Sequence, residues 1–279
     1  MPTRALSWNL FHGRDAPPDP KLFTLRSKLA RITERNASHV QVNRDLLAEF
    51  TRLLSGAQWD VALLQECPPR WAGPLAAACD AEPHRALTSR NRWPALQGML
   101  HRWNPDLMGS WEGGSNLTLV RRREGGAGRI TARAEVVLRP GKPERRVMAL
   151  TRRGDGLCVA NLHASTRVHP LAEQEIRLAA ERAVALAGEA PLILGGDFNI
   201  RPVQSTVFDE LEARYGLAPV TAPDAIDHLL VRGAEVLDPP TRWPDETREI
   251  QRDGLALRLS DHAPVEALLG DATSSSSSP

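Results

Sequence analysis

The chain has 279 residues, 42% of them hydrophobic, which is enough to bury one large core without calling for a second. Lysine and arginine number 35 against 34 aspartate and glutamate, a net charge of +1, so no global basic field draws in polyanions and a nucleic-acid substrate is allowed rather than advertised. No apolar run is long enough to span a bilayer, no N-terminal segment has the pattern of a secretion signal, and Cys67, Cys79 and Cys158 show neither metal spacing nor a disulfide framework; a cytoplasmic monomer is expected.

In chain order, Leu6, Trp8 and Leu10 alternate with Ala5, Ser7 and Asn9, the period-two pattern of a half-buried strand, and this strand is predicted to end at Asn9. The Pro-rich, basic stretch 15–43 reads as loop with some helix. Leu46, Leu47, Phe50, Leu53 and Leu54 then have helical spacing, and Gly56 stops the helix. Val61 to Leu64 are apolar on both faces, as in a central strand, and deliver Gln65 and Glu66 to its end before Pro68 and Pro69. Further strands are predicted at 117–120, 130–138, 146–150, 157–162 and 192–194.

Helices are predicted at 171–186, closed by Gly188, and at 206–215, with Ser205 as N-cap and Gly216 as stop. The last strands hold 226–231 and 265–269. Residues 1–270 form the predicted domain, with more strand than helix and no internal repeat. The Ser-rich tail 271–279 is predicted to be disordered.

A strand end is where a fold displays a carboxylate without burying its charge, so polar residues at strand ends are the candidates for chemistry. The sharpest case is Leu192-Ile193-Leu194-Gly195-Gly196-Asp197-Phe198-Asn199. In an extended chain, residues two apart share a face, so Asp197 and Asn199 point into one space. Asn9, Glu66, His163, Asp227 and the pair Asp261-His262 stand at other strand ends. Singly, each also fits a capped turn or an ordinary helix-start carboxylate. Together they suit one chemistry. Glu66, Asp261 and the amide oxygen of Asn9 are the hard oxygen ligands that magnesium takes, Asp197 is a carboxylate able to align or deprotonate water, and the imidazoles act near neutral pH.

These motifs, in this order from Trp8-Asn9 to Ser260-Asp261-His262, resemble the endonuclease/exonuclease/phosphatase superfamily, whose members include deoxyribonuclease I, exonuclease III-like repair enzymes, sphingomyelinases and inositol polyphosphate 5-phosphatases. The resemblance implies an α+β fold, a four-layer αββα sandwich with two central mixed, mostly antiparallel β-sheets and the active site at one edge. It implies a magnesium-dependent phosphoesterase, with Mn2+ as a substitute ion. Asn9, Glu66 and Asp261 would serve the metal. Asp197 and Asn199 would position the water and the scissile phosphate, Asp227 would orient His262, and His262 would contact phosphate or act as general base. His163 would lie near the leaving group, and Asn161 is a candidate phosphate contact.

His228 neighbours Asp227 on a strand and is expected to face away from the site. His12 has no motif support, but its closeness to Asn9 keeps it in view; His39, His84, His101 and His169 are read as surface or core residues. The only tyrosine, Tyr215, falls in a predicted helix, so the active-site tyrosine of abasic endonucleases is missing. The Trp-Cys-Asp-Arg signature of inositol phosphatases is replaced by Ala225-Ile226-Asp227-His228. What remains is a nuclease or related phosphodiesterase, cleaving a phosphodiester by in-line attack of water, with DNA or RNA among the substrates. The alternatives are an enzyme acting on a lipid or small-molecule phosphate, and a non-catalytic binding protein with the same fold. Basic clusters at Arg121 to Arg123, Arg145/Arg146 and Arg152/Arg153 are either backbone-phosphate contacts or solvated strand faces. Trp93, Trp103, Trp111 and Trp243 are either stacking residues or packing.

Overall fold

The computed structural model describes residues 2–89, 93–123, 126, 128–142, 144–166 and 168–272. In order the elements are β1 (Thr3–Asn9), α1 (Leu25–Ala30), β2 (Glu34–Arg35), β3 (Val40–Gln41), α2 (Leu47–Gly56), β4 (Val61–Cys67), α3 (Ala72–Ala78), β5 (Ala81–Leu87), α4 (Pro94–Trp103) and α5 (Pro105–Glu112). They continue with β6 (Ser115–Arg121), β7 (Ile130–Arg139), β8 (Arg146–Arg153), β9 (Cys158–His163), α6 (His169–Ala187), β10 (Leu192–Asp197) and α7 (Val207–Tyr215). The last are β11 (Asp227–Arg232), β12 (Ala234–Arg242), β13 (Glu249–Arg252), β14 (Leu255–Arg258) and β15 (Val265–Ala272).

Two large sheets form, ordered β12-β15-β1-β4-β6-β5 and β11-β10-β9-β8-β7. Each contains a single parallel pair, β1 with β4 and β9 with β10, and all its other pairings are antiparallel. Period-two alternation sends Leu6, Trp8, Ala62 and Leu64 to the outer face of the first sheet, under Phe50 and Leu54 of α2 and Leu75 of α3. On the second sheet, Ala160, Leu162, Leu194 and Leu230 lie beneath Ile176 of α6 and Phe208 of α7. The alanines of α6 at 172, 179, 180, 183 and 187 are buried, which lets the helix approach its sheet closely. The opposite faces, with Ala5, Val61, Leu63, Val159, Ile193, Leu229 and Val265, pack sheet against sheet. The result is helix, sheet, sheet, helix, an αββα sandwich.

Three expectations are adjusted. Residues 72–112, given no helix from the sequence, hold α3, α4 and α5; the latter two each begin at a proline that serves as a helix start rather than a break. The strand ending in Asp197 runs three residues past 194, and the last strand reaches Ala272, two beyond the expected tail boundary. The remainder of the predicted tail, 273–279, lies outside the described residues. α7 starts at Val207 with Thr206 rather than Ser205 at its N-cap; Ser205, one residue further out, still accepts the Val207 N–H on its Oγ at 3.2 Å.

Candidate active site

In both parallel pairs the strands finish at the same edge of the sandwich, so β1, β4, β9 and β10 bring Asn9, Glu66, His163 and Asp197 to one place. β11 runs antiparallel to β10 and pairs Asp227 directly with Asp197. The loop before β15 then carries Asp261 and His262 over the same edge. Seven of the eight sequence-derived residues, Asn9, Glu66, His163, Asp197, Asn199, Asp261 and His262, line one cleft of about 830 Å³, and Asp227 stands behind His262.

Backbone geometry sets this edge. Gly196 has φ of +135°, and a Cβ there would fall 1.9 Å from the Leu162 carbonyl oxygen, so only glycine lets β10 lie against β9 just before Asp197. Glu66 at +48° and Asn199 at +55° occupy the left-handed region, which turns each side chain off its strand direction. Ser260 clamps the last motif to β1: its Oγ donates to the Asn9 carbonyl at 2.6 Å and accepts the His262 N–H at 3.1 Å, while Trp8 Nε1 donates to the His262 carbonyl at 2.8 Å. Buried Arg248, which has no signal in the sequence, donates to the Leu259 carbonyl at 3.0 Å and to the Ser260 carbonyl.

Asp197 is the centre of the arrangement. Its Oδ2 accepts Asn9 Nδ2 at 3.0 Å and faces His163 Nε2 at 3.5 Å and His262 Nε2 at 3.8 Å, while Oδ1 accepts the Asn199 N–H at 3.0 Å. His262 Nδ1 lies 2.8 Å from Asp227 Oδ2, an orienting hydrogen bond that leaves Nε2 directed at the cleft. Asn199 is held by its Nδ2 donating to the Ala164 carbonyl at 3.0 Å.

Burial raises the Asp197 carboxyl above the usual carboxylate range. Burial alone would lower His262, but the carboxylates of Asp227, Asp197 and Asp261 outweigh it and push the imidazole up to about 10. Burial, then the positive charge of Arg146, holds His163 well below its ordinary range. Burial, then the charges of Asp197 and Asp261, pushes Glu66 up to about 7.

That last shift bears on metal binding. Glu66, Asp197 and Asp261 are carboxylates repelling one another in a partly desolvated edge, and a divalent cation is the partner that would relieve them. Glu66 and Asp261 both line the cleft, Glu66 with Oε2 3.2 Å from His12 Nε2 and Asp261 with Oδ1 3.9 Å from His262 Nε2. Asn9 fits less directly, since its Oδ1 already accepts the Phe11 N–H at 2.9 Å and its Nδ2 is engaged by Asp197. Asp197, Asp227 and His262 are also close enough together to hold an ion. Their short contact is a His–carboxylate hydrogen bond, however, which already explains the clustering.

Several residues at the cleft were not in the sequence-derived set. His12, only kept in view there, has φ of +54° and places Nε2 3.2 Å from Glu66 Oε2; burial, then Arg14, lowers its pKa to about 3. Arg14 stacks over the Phe11 ring at 3.6 Å. Lys142 comes from the β7–β8 connection, and of the basic clusters named from the sequence only Arg145/Arg146 reaches the cleft, Arg146 at the buried start of β8 paired with Glu144. The other two basic clusters are structural. Arg121 caps backbone carbonyls around Leu54 and Ala57, Arg122 and Arg123 pair with Asp80 and Asp60, Arg152 donates to the last carbonyls of α6, and Arg153 is buried against Asp155.

Asn161 does not meet the expectation of a phosphate contact. It is fully buried between the sheets, accepts Gln65 Nε2 at 2.8 Å and donates to the Leu117 carbonyl at 3.2 Å, so its amide ties the two sheets together. His228 faces away from the cleft, packed edge-on against Phe198 and Phe208. Trp243 packs on the core, whereas Trp93, Trp103 and Trp111 are exposed.

Residues 6–262 match the Endonuclease/Exonuclease/phosphatase family, and the chain belongs to that family of phosphoester hydrolases. Solved structures agree on the fold. An endonuclease/exonuclease/phosphatase family protein from Bacteroides thetaiotaomicron aligns with a TM-score of 0.63 at 15% identity, covering 96% of this chain and 95% of that one. A mannosyl-6-phosphatase from the same organism aligns at 0.59 and 16% identity, covering 96% and 99%. TDP2 from Caenorhabditis elegans aligns at 0.56 and 13% identity, covering 96% and 75%. A sequence search of curated proteins found no significant match. Among the described residues no helix is long and apolar enough to cross a membrane.

Proposed function

We propose that the protein is a magnesium-dependent phosphodiesterase acting on nucleic acid, with manganese as a substitute ion. The observation that carries this reading is the convergence on Asp197 Oδ2 of Asn9, His163 and His262 within 3.8 Å, with Glu66 and Asp261 across the same cleft. Water attacks phosphorus in line with the bond to the leaving oxygen; that P–O bond breaks, the proton of the water passes to Asp197, and the leaving oxygen takes up a proton from solvent to depart as an alcohol. Asn9 and Asn199 fix the carboxylate in place for this step. His262, its Nδ1 held by Asp227, directs Nε2 to a phosphate oxygen and stabilises the charge that develops there. His163, kept neutral by its surroundings, offers a ring N–H on the leaving-group side. Glu66 and Asp261, with the amide oxygen of Asn9, would hold the ion. When bound it neutralises the phosphate and lowers the barrier to attack.

The width of the cleft and the basic residues Arg14, Lys142 and Arg145 at its rim support an extended anionic substrate, while buried Arg146 is paired with Glu144 of the same lining. One observation favours a second reading: Trp93, Met99 and Trp103 are exposed by 65%, 59% and 51%, a surface suited to a lipid interface and hence to a lipid phosphodiester.

The test is a panel with magnesium or manganese across DNA, RNA, a chromogenic phosphodiester, phosphoinositides and sphingomyelin, with Asp197→Asn prepared in parallel to expose contaminating nuclease. Asp197→Asn and His262→Ala are each expected to lower turnover by roughly two to four orders of magnitude. Hydrolysis of none of these substrates, or near-normal turnover in either variant, overturns the assignment.

A further inference from the structure

A second concavity, of about 250 Å³, lies between the segment 31–44 and the tip of the β13–β14 hairpin. Arg31, Arg35, Arg44 and Arg252 line it, against a single acid, Asp253. The local sequence explains the placement. Arg31 ends α1 in the left-handed region, with φ of +56°, and its Nε donates to the Asn43 carbonyl at 3.4 Å. Asp253-Gly254, both at positive φ, make the two-residue turn that sets Arg252 at the hairpin tip.

Only Arg44 is neutralised locally, by Glu49. Among the described residues the side chains of Arg35 and Arg252 have no hydrogen-bond or ion-pair partner. Like charges around one concavity disfavour one another unless an anion joins them, and the planar forks of guanidinium groups match phosphate oxygens in pairs.

Pocket and cleft share a wall. Arg14 lines the cleft, the next residue Asp15 accepts the Val42 N–H at 3.0 Å, and residues 42–44 line the pocket. Beside the pocket, Arg31 lies over the ring of Trp103 at 5.7 Å, and that tryptophan is half exposed.

We propose that this pocket binds a second, non-scissile phosphate of the substrate, so that a phosphate-bearing molecule lies across the wall between pocket and cleft. The proposal rests on the phosphoesterase reading of the cleft. The shared chemistry is a phosphate group two or more bonds removed from the scissile one, supplied by a nucleic-acid backbone or by a small molecule carrying several phosphates. The half-exposed Trp103 ring beside the pocket favours the backbone, because bases stack on exposed aromatic side chains without regard to sequence.

The experiment uses the full chain and the double variant Arg35→Ala/Arg252→Ala, whose side chains are exposed and make no contacts that the fold needs. With a single-stranded decanucleotide, KM is expected to rise roughly tenfold with kcat unchanged, and the salt dependence of binding to become shallower by about 0.7 per lost phosphate contact. Hydrolysis of a small chromogenic phosphodiester, too short to reach the pocket, is expected to be unchanged. An unaltered KM both for the decanucleotide and for a small molecule carrying several phosphates overturns the proposal, and so does an equal loss on the small chromogenic substrate, which would mark the arginines as structural.

A calorimetric titration keeps this outcome separate from failure of the catalytic reading. Inorganic phosphate is expected to bind the parent chain and to lose most of that binding in the double variant, whether or not any ester is hydrolysed. Absence of phosphate binding to the parent removes the site. A rise in KM for a small molecule with several phosphates, but not for the decanucleotide, overturns the backbone as the source.

Discussion

His228 links the floor of the site to an acid-sensitive core. It pairs across the sheet with Gly196, next to Asp197, and its ring is enclosed by Phe198 and Phe208 at centroid distances of 5.3 and 4.8 Å. Nδ1 accepts the Thr221 N–H at 3.1 Å, a bond that a proton on Nδ1 would destroy. Burial is the main cause that lowers its pKa from 6.5 to about 4, against the opposing charge of Asp227.

Above pH 6.5 the ring is neutral in both the folded and unfolded chain. As pH falls from 6.5 toward 4 the unfolded chain takes up the proton and the folded chain does not, so stability is lost across that window and the loss levels off below it. A shift from 6.5 to about 4, at about 1.36 kcal/mol per unit, corresponds to roughly 3 kcal/mol. His228→Phe keeps an aromatic ring between Phe198 and Phe208 and removes the titration. At pH 7 it should cost about 1–2 kcal/mol, because the Thr221 N–H loses its acceptor. By pH 4 the stability difference between variant and parent should have moved about 3 kcal/mol in the variant's favour. Urea denaturation at half-unit steps from pH 7 to 4 measures this difference directly. A gap between the two proteins that stays constant over that range would refute the reasoning.

Two further outcomes follow from the site. If the proposed ion site is correct, Glu66→Gln should move the magnesium concentration for half-maximal activity upward by roughly tenfold or more, because it removes one of the carboxylates assigned to that ion, and a metal titration of initial rates reads it. Gly196→Ala should lower stability by more than about 3 kcal/mol, because the new methyl meets the Leu162 carbonyl at 1.9 Å; thermal unfolding and soluble yield report it, and a melting temperature within a degree or so of the parent would contradict the close approach of β9 and β10.

Much of the sandwich was legible in the chain because its information is local. Strand alternation from Ala5 to Leu10 and the doubly apolar run from Val61 to Leu64 follow from which faces of the strands are buried, and neighbouring residues carry that pattern themselves. The helices at 72–112 were missed for an equally local reason. Pro94 and Pro105 stand in the first turn of α4 and α5, where proline's missing N–H costs nothing, and Asn104 Oδ1 accepts the Leu107 N–H at 3.1 Å as a cap, but neither helix carries a long apolar stripe that would mark it in the chain.

By itself the sequence determined which residue types stand at the strand ends and in what order, which is why the eight candidate residues are legible along the chain. Tertiary structure decided what they do to one another. The 2.8 Å bond from His262 to Asp227, the His12 contact with Glu66 and the burial of Asn161 between the sheets join residues far apart in the chain or turn on positive φ angles. The arginine pocket belongs to the same category: Arg31, Arg35, Arg44 and Arg252 become neighbours only when the β13–β14 hairpin folds against the segment after β1. Pattern along a chain records burial, whereas charge and hydrogen bonding depend on distances that only packing sets.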